Sequence, residues 1–127
     1  MGKIKLELEY HLKSTSLNSL WNSIGTPYGL SDWFACNVQN TGIDYIFTWK
    51  DYAQNAQLLN IKPQEFIRFQ WEKDEDTPYY FELRILKHEL SNALTLRVTE
   101  FIEPDEKDDE ILLWDTHIVD LRRRLGV

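Results

Sequence analysis

The last stretch of the chain, Asp108 to Leu125, limits most strongly what the rest can be. Ile111, Trp114, Ile118, Leu121 and Leu125 recur there at helical spacing, so one face of a long helix is apolar. Burying five or six such side chains contributes about 1.5–3 kcal/mol each, roughly 10 kcal/mol before entropy. A helix like this belongs to the core and needs an apolar sheet to lie on. The segments before it supply one.

Residues 3–12 alternate, with Ile4, Leu6, Leu8, Tyr10 and Leu12 in one phase and Lys5, Glu7, Glu9 and His11 in the other. That is a half-buried strand with one wet face. Ser14, Thr15 and Ser16 are all good helix N-caps. Leu17, Leu20, Trp21 and Ile24 then follow at helical spacing, and Gly25 and Pro27 stop that helix. A second, shorter helix is expected over Leu30–Ala35, with Leu30, Trp33 and Phe34 on one side. Strands are expected over Asp44–Lys50, Tyr52–Ile61, Phe66–Glu72, Tyr79–Lys87 and Ala93–Ile102, about six in all with the first. The short connections argue for antiparallel hairpins. The acidic run Asp105, Glu106, Asp108, Asp109 and Glu110 reads as a loop plus a helix first turn, where carboxylates suit the helix dipole. A docking site for a basic partner is the alternative. The order predicts a single α+β domain over residues 1–127, a curved antiparallel sheet wrapped around the Asp108–Leu125 helix.

Charge and composition exclude several classes of function. A net charge of −7 and a pI near 4.9 repel a phosphate backbone, so nucleic acid is not an expected partner. The one basic cluster, Arg122-Arg123-Arg124, ends a helix, where cations belong for dipole reasons. The same net charge disfavours an anionic membrane surface. No stretch approaches the roughly 20 apolar residues of a membrane span. The start, Met1-Gly2-Lys3-Ile4-Lys5, does not read as a signal peptide. The single cysteine, Cys36, cannot form an internal disulfide, which fits a reducing cytoplasm. Five Trp, six Tyr and six Phe are many for a small domain and predict a core or cavity walled by rings.

Two segments bring a family into view. Pro27-Tyr28-Gly29-Leu30-Ser31-Asp32-Trp33-Phe34-Ala35 and Leu112-Leu113-Trp114-Asp115, together with the order of elements, resemble START-like (SRPBCC) helix-grip domains. Within these the chain is most similar to the branch grouped with activators of a heat-shock-protein ATPase. Phe47-Thr48-Trp49, Arg68-Phe69-Gln70-Trp71-Glu72 and Phe81-Glu82-Leu83-Arg84 sit where that pattern expects strand aromatics. The resemblance implies a helix-grip fold. It also implies one of three activities: binding of lipids or other apolar ligands, cyclase or hydrolase chemistry, or co-chaperone work.

The residues carry no catalytic signature. There is no Gly-rich phosphate loop, GxSxG, CxxC or HExxH. His11, His88 and His117 share no metal-ligand spacing, so no metal or cofactor is expected. Cys36 reads as a small buried hydrophobe rather than a nucleophile. Glu82, Arg84, Arg68 and Arg97 share the outward phase of neighbouring strands and read as a charge ladder on a solvated face. Asp115 has two readings: a cavity-facing carboxylate that orients a ligand, or a partly exposed group paired with an arginine at the sheet mouth.

The leading functional expectation is non-catalytic binding of an apolar or amphipathic small molecule between sheet and helix. Trp33, Phe34, Phe47, Trp49, Phe69, Trp71, Phe81, Leu83, Leu96, Trp114, Asp115 and Ile118 are its candidate site residues. The runner-up is a protein-interaction module with a filled core, co-chaperone-like or self-associating as a homodimer. A hydrolase or cyclase activating water through Asp115 or His117 comes third.

Overall fold

Alternation builds the sheet where expected. The computed structural model describes residues 2–13 and 15–127. Met1 and the cap candidate Ser14 lie outside the described residues. Strand β1 (Ile4–Leu12) leads to helices α1 (Leu17–Gly25) and α2 (Pro27–Leu30). Strands β2 (Asn37–Thr41), β3 (Asp44–Thr48), β4 (Ala53–Lys62), β5 (Phe66–Trp71), β6 (Phe81–Lys87) and β7 (Leu94–Ile102) follow, and α3 (Lys107–Leu125) closes the fold. All seven strands pair antiparallel in the order β1-β7-β6-β5-β4-β3-β2. β1 crosses to pair β7 in register from Ile4↔Ile102 to Leu12↔Leu94. A bulge between Leu58 and Asn60 interrupts the β4–β5 register and bends the sheet. Helix α3 buries Trp114, Ile118 and Leu121 against it. This is the α+β helix-grip architecture.

The caps explain where the helices begin and end. Ser16 Oγ accepts from Ser19 N at 3.0 Å and starts α1. The second helix was expected over Leu30–Ala35 and lies earlier, at Pro27–Leu30. Thr26 Oγ1 accepts from Gly29 N at 2.9 Å, and Pro27 stands at the first helical position. Trp33 and Phe34 therefore sit on turns, yet both are buried. Gly126 adopts φ 78° and its N–H reaches the Arg122 carbonyl at 2.8 Å, ending α3.

Strand β2 is not visible in the sequence. Only Val38 of its five residues is buried, so no alternation marks it. Pairing with β3 through the turn at Gly42, φ 61°, makes it a strand.

The charge ladder forms, but part of it is not solvated. Glu82 is only 5% exposed, gripped by Arg68 Nη2 at 2.7 Å and Arg84 Nε at 3.0 Å. Burial alone would raise its pKa, but the Arg84 and Arg68 guanidiniums hold it below the usual carboxylate value. Arg97 turns instead to Glu9 on β1, at 2.7 Å. The long guanidinium stems cover the carboxylate, which residue type alone does not reveal.

Gly29 is fixed by the approach of α2 to α1. A Cβ there would clash with the Asn22 carbonyl oxygen and lie 2.8 Å from Ser23 Cα, both backbone atoms of α1. Gly29→Ala is expected to destabilise the fold by about 1–3 kcal/mol or more, as the two helices must part. Urea-denaturation midpoints check this. An unchanged midpoint would mean that α2 moves freely.

Candidate functional site

The rings anticipated as a cavity wall mostly fill the interior. Phe47 packs edge-on to Phe69 at 5.4 Å between centroids, and Phe69 stacks on Phe81 at 5.1 Å. Phe81 stacks in turn on Trp71 at 4.6 Å. Phe34 bridges to the helix, stacked on Trp114 at 5.5 Å. Trp33 Nε1 donates to the Ser23 carbonyl at 2.8 Å, and Trp49 Nε1 to the Phe34 carbonyl at 2.9 Å. These indoles are fixed by both packing and hydrogen bonds.

What remains open is a cleft of about 160 Å³ beside the N-terminal half of α3. That is smaller than the ~300 Å³ lower range of drug-sized pockets. Five of the expected residues line it: Phe34, Trp49, Trp71, Phe81 and Trp114. Trp33, Phe47, Phe69, Leu83, Leu96 and Ile118 lie in the core behind and do not border it. A wider trough of about 330 Å³ crosses the outer side of β3, β4 and β5, past Ile46, Asn55 and Gln57. It gathers no buried unpaired polar group, so the smaller cleft is the better candidate site.

Asp115 is not part of the cleft. Its side chain is exposed, and the Tyr10 hydroxyl donates to Oδ1 at 3.0 Å. The expectation that it faces the cavity is corrected, and its partner is a tyrosine rather than an arginine. One position along from Trp114 carries a side chain about 100° around the helix, here past the edge of the buried stripe. Burial, and then the Asp115 carboxylate, push the Tyr10 phenol far above its ordinary pKa.

The cleft is lined by polar groups as well as rings: Lys3, Gln54, Lys73, Asp74, Glu100, Glu106, Glu110 and His117 all border it. Glu100 occupies the inward phase of β7, in line with Leu94, Leu96, Val98 and Ile102. Its Oε1 is buried with no hydrogen-bond partner; Thr15 Oγ1 is the other such oxygen among the described residues. Burial, and then the neighbouring Glu110 carboxyl, raise the Glu100 pKa to about 9; the Trp114 indole and Lys73 act in the opposite sense. Glu100 is therefore a neutral acid at pH 7. The His117 ring lies 5.4 Å from both Phe34 and Trp114, and burial lowers its pKa below the ordinary value. Lys3 reaches the same region but is committed to Asp74 at 2.9 Å.

An acidic residue in the inward phase of an apolar strand was the signal for Glu100. Glu110 was hidden in an acidic run whose other members do serve a helix start. Glu103 and Glu106 cap the single turn at Pro104–Glu106 reciprocally, and Asp108 and Asp109 stand in the first turn of α3. The remaining candidates lie elsewhere. His11 and His88 meet Thr95 Oγ1 at 3.0 and 2.8 Å on the opposite side of the sheet. Cys36, expected as a small buried side chain, is instead exposed, on the stretch between the turn at Ser31–Phe34 and β2. Among the described residues no group of three or more His, Cys, Asp or Glu is placed to hold a metal ion, and no helix is long and apolar enough to cross a membrane.

Comparison with known proteins follows the fold. The START-like superfamily domain matches residues 1–127. No curated protein matches. A Bacteroides fragilis protein solved by solution NMR, BfR322, is 43% identical; the alignment covers 97% of this chain and 91% of that one, with a TM-score of 0.68. The solution structure of the Aha1 dimer from Colwellia psychrerythraea has a TM-score of 0.78 at 15% identity, covering 98% of this chain and 97% of that one. The crystal structure of MLL2253 from Mesorhizobium loti has a TM-score of 0.76 at 14% identity, covering 97% of both chains. The last two are likenesses of fold.

Proposed function

The chain belongs to the START-like superfamily, and on that premise we propose that it binds, without chemical change, one small amphipathic molecule in the cleft between sheet and α3. One observation carries this reading. Glu100 Oε1 is a buried acceptor with no hydrogen-bond donor among the described residues, set in the wall of a cleft that mixes aromatic and polar side chains. Such an oxygen costs about 1–3 kcal/mol, which a ligand's hydrogen-bond donor recovers. Size sets the second limit. An apolar cavity of roughly 150 Å³ takes up benzene, so the cleft suits a ring and not an acyl chain. The half-buried Trp49 and Trp71 supply the contact area, and the buried Phe34, Phe81 and Trp114 behind them hold the walls rigid. A reducing cytoplasm is the setting this reading assumes, with Cys36 left as a free thiol.

A protein-interaction role through self-association is the second reading. Leu112 and Val119 favour it: they lie seven residues apart on the outward side of α3 and are 67% and 53% exposed.

Titration with benzyl alcohol, followed in amide and indole NMR spectra, separates the two. Shifts are expected at the Trp49, Trp71 and Trp114 indoles and along β7 near Glu100. Shifts confined to the outer side of the sheet, or none at millimolar probe, would overturn the binding reading. A dimer in native mass spectrometry, together with no shift, would favour self-association.

A further inference from the structure

The groups around the cleft bear on the charge of what it would hold. Its lining includes the half-buried Trp49 and Trp71, and the faces of Trp rings attract cations. Its only buried unpartnered oxygen belongs to a carboxyl group, and a second carboxyl, that of Glu110, stands beside it. From the turn after β5, Lys73 is exposed and borders the cleft. At the start of β1, Lys3 is bound to Asp74. Glu106 is engaged by the Glu103 N–H at 3.2 Å, His117 is held as the neutral ring by burial, and Tyr10 faces Asp115. The exposed Lys73 thus faces the two carboxyl groups, and among the described residues none hydrogen-bonds Glu100 Oε1.

We propose that the cleft selects a small aromatic ammonium ion, the ring beside the half-buried Trp49 and Trp71 and the N–H donors on Glu100. Burial favours the protonated carboxyl of Glu100, so entry of the cation releases its proton. This rests on the reading of the cleft as a ligand site and names the ligand's charge. The balance is simple. The ammonium brings one positive charge in, one proton leaves to solvent, and the charge of the site is unchanged. No covalent bond other than the O–H bond of the carboxyl group is broken.

Three probes of one size test it: benzylammonium, benzyl alcohol and benzoate, each titrated into the full chain by calorimetry at pH 7. Benzylammonium is expected to bind roughly tenfold tighter than benzyl alcohol, and benzoate not to bind. Repeating the titration in phosphate and Tris should show release approaching one proton per benzylammonium and none for benzyl alcohol. Glu100→Gln keeps the shape and removes the ionisable carboxyl; it should erase the preference for benzylammonium over benzyl alcohol. Equal or weaker binding of benzylammonium overturns the proposal and leaves the cleft an apolar site. A preference that survives Glu100→Gln, or binding with no proton released, also overturns it. Failure of all three probes overturns the ligand-site reading itself. The proton count needs only the unmodified chain, so it decides the matter even if the variant does not fold.

Discussion

Trp114→Ala is expected to destabilise the protein by about 3–5 kcal/mol. The indole is 3% exposed. It stacks on Phe34, lies 6.3 Å from Trp33 and meets His117 edge-on. Through Phe34 it joins the helix to Phe47 and Phe81 on the sheet, so its loss uncouples α3 from the ring stack. Relaxation cannot refill the space, because the neighbouring rings are pinned by their own N–H bonds and by each other. Trp114→Phe retains a ring and should cost less than half as much. The measurement is chemical denaturation followed by far-UV circular dichroism. Added indole should recover part of the lost stability in Trp114→Ala, because a cavity-filling ligand that binds only the folded state stabilises it. A loss below about 1 kcal/mol would mean that the helix is held mainly by Ile118 and Leu121.

The helix that this tryptophan anchors was legible because its period is unambiguous. Trp114, Ile118 and Leu121 point inward as the spacing requires, and the strands from Asp44 onward lie within two residues of their expected bounds. The errors fall where tertiary context outweighs local pattern. Strand β2 carries one buried side chain and exists through its pairing with β3. Helix α2 starts at a Thr-Pro pair whose capping role competes with the apolar Leu30, Trp33 and Phe34 that suggested a later helix. Trp33 and Phe34 are buried from irregular turns, where no period announces burial.

The site was less legible than the fold, for a physical reason. Aromatic residues mark both a filled core and a cavity wall, and only three-dimensional packing separates Trp71, which borders the cleft, from Phe69, which does not. Asp115 drew attention by its position in a family-like Leu-Trp-Asp segment, whereas the groups that face the cleft are Glu100 and Glu110. Strand alternation placed Glu100 inward all along. Its partner Glu110 could be identified only once α3 was docked, since one turn of helix separates it from Trp114 and ten residues separate it from Glu100.

Glu100→Gln should alter the pH dependence of stability more than any other single change in the cleft. The Glu100 carboxyl titrates near 9 in the folded protein against an ordinary value of 4.5. Between those values the folded state holds a proton that the unfolded state has released. Stability from this group is therefore complete below about pH 4.5, falls as pH rises, and is lost once pH passes about 9. The slope approaches 1.4 kcal/mol per pH unit inside that window, a loss of several kcal/mol across it. Glutamine is neutral throughout, so the variant should match the parent near pH 4 and exceed it increasingly toward pH 9. The difference between the two urea-unfolding curves is the quantity to follow, since it cancels most of the titration of His117 and the surface carboxylates. Glu110→Gln should give a smaller change of the same sign, because burial remains when the neighbouring carboxyl is gone. A flat difference from pH 5 to 9 would show that water reaches Glu100 freely and that the carboxyl is ionised at neutral pH. The cleft would then hold no proton for an incoming cation to displace, and no release should be seen in the calorimetry.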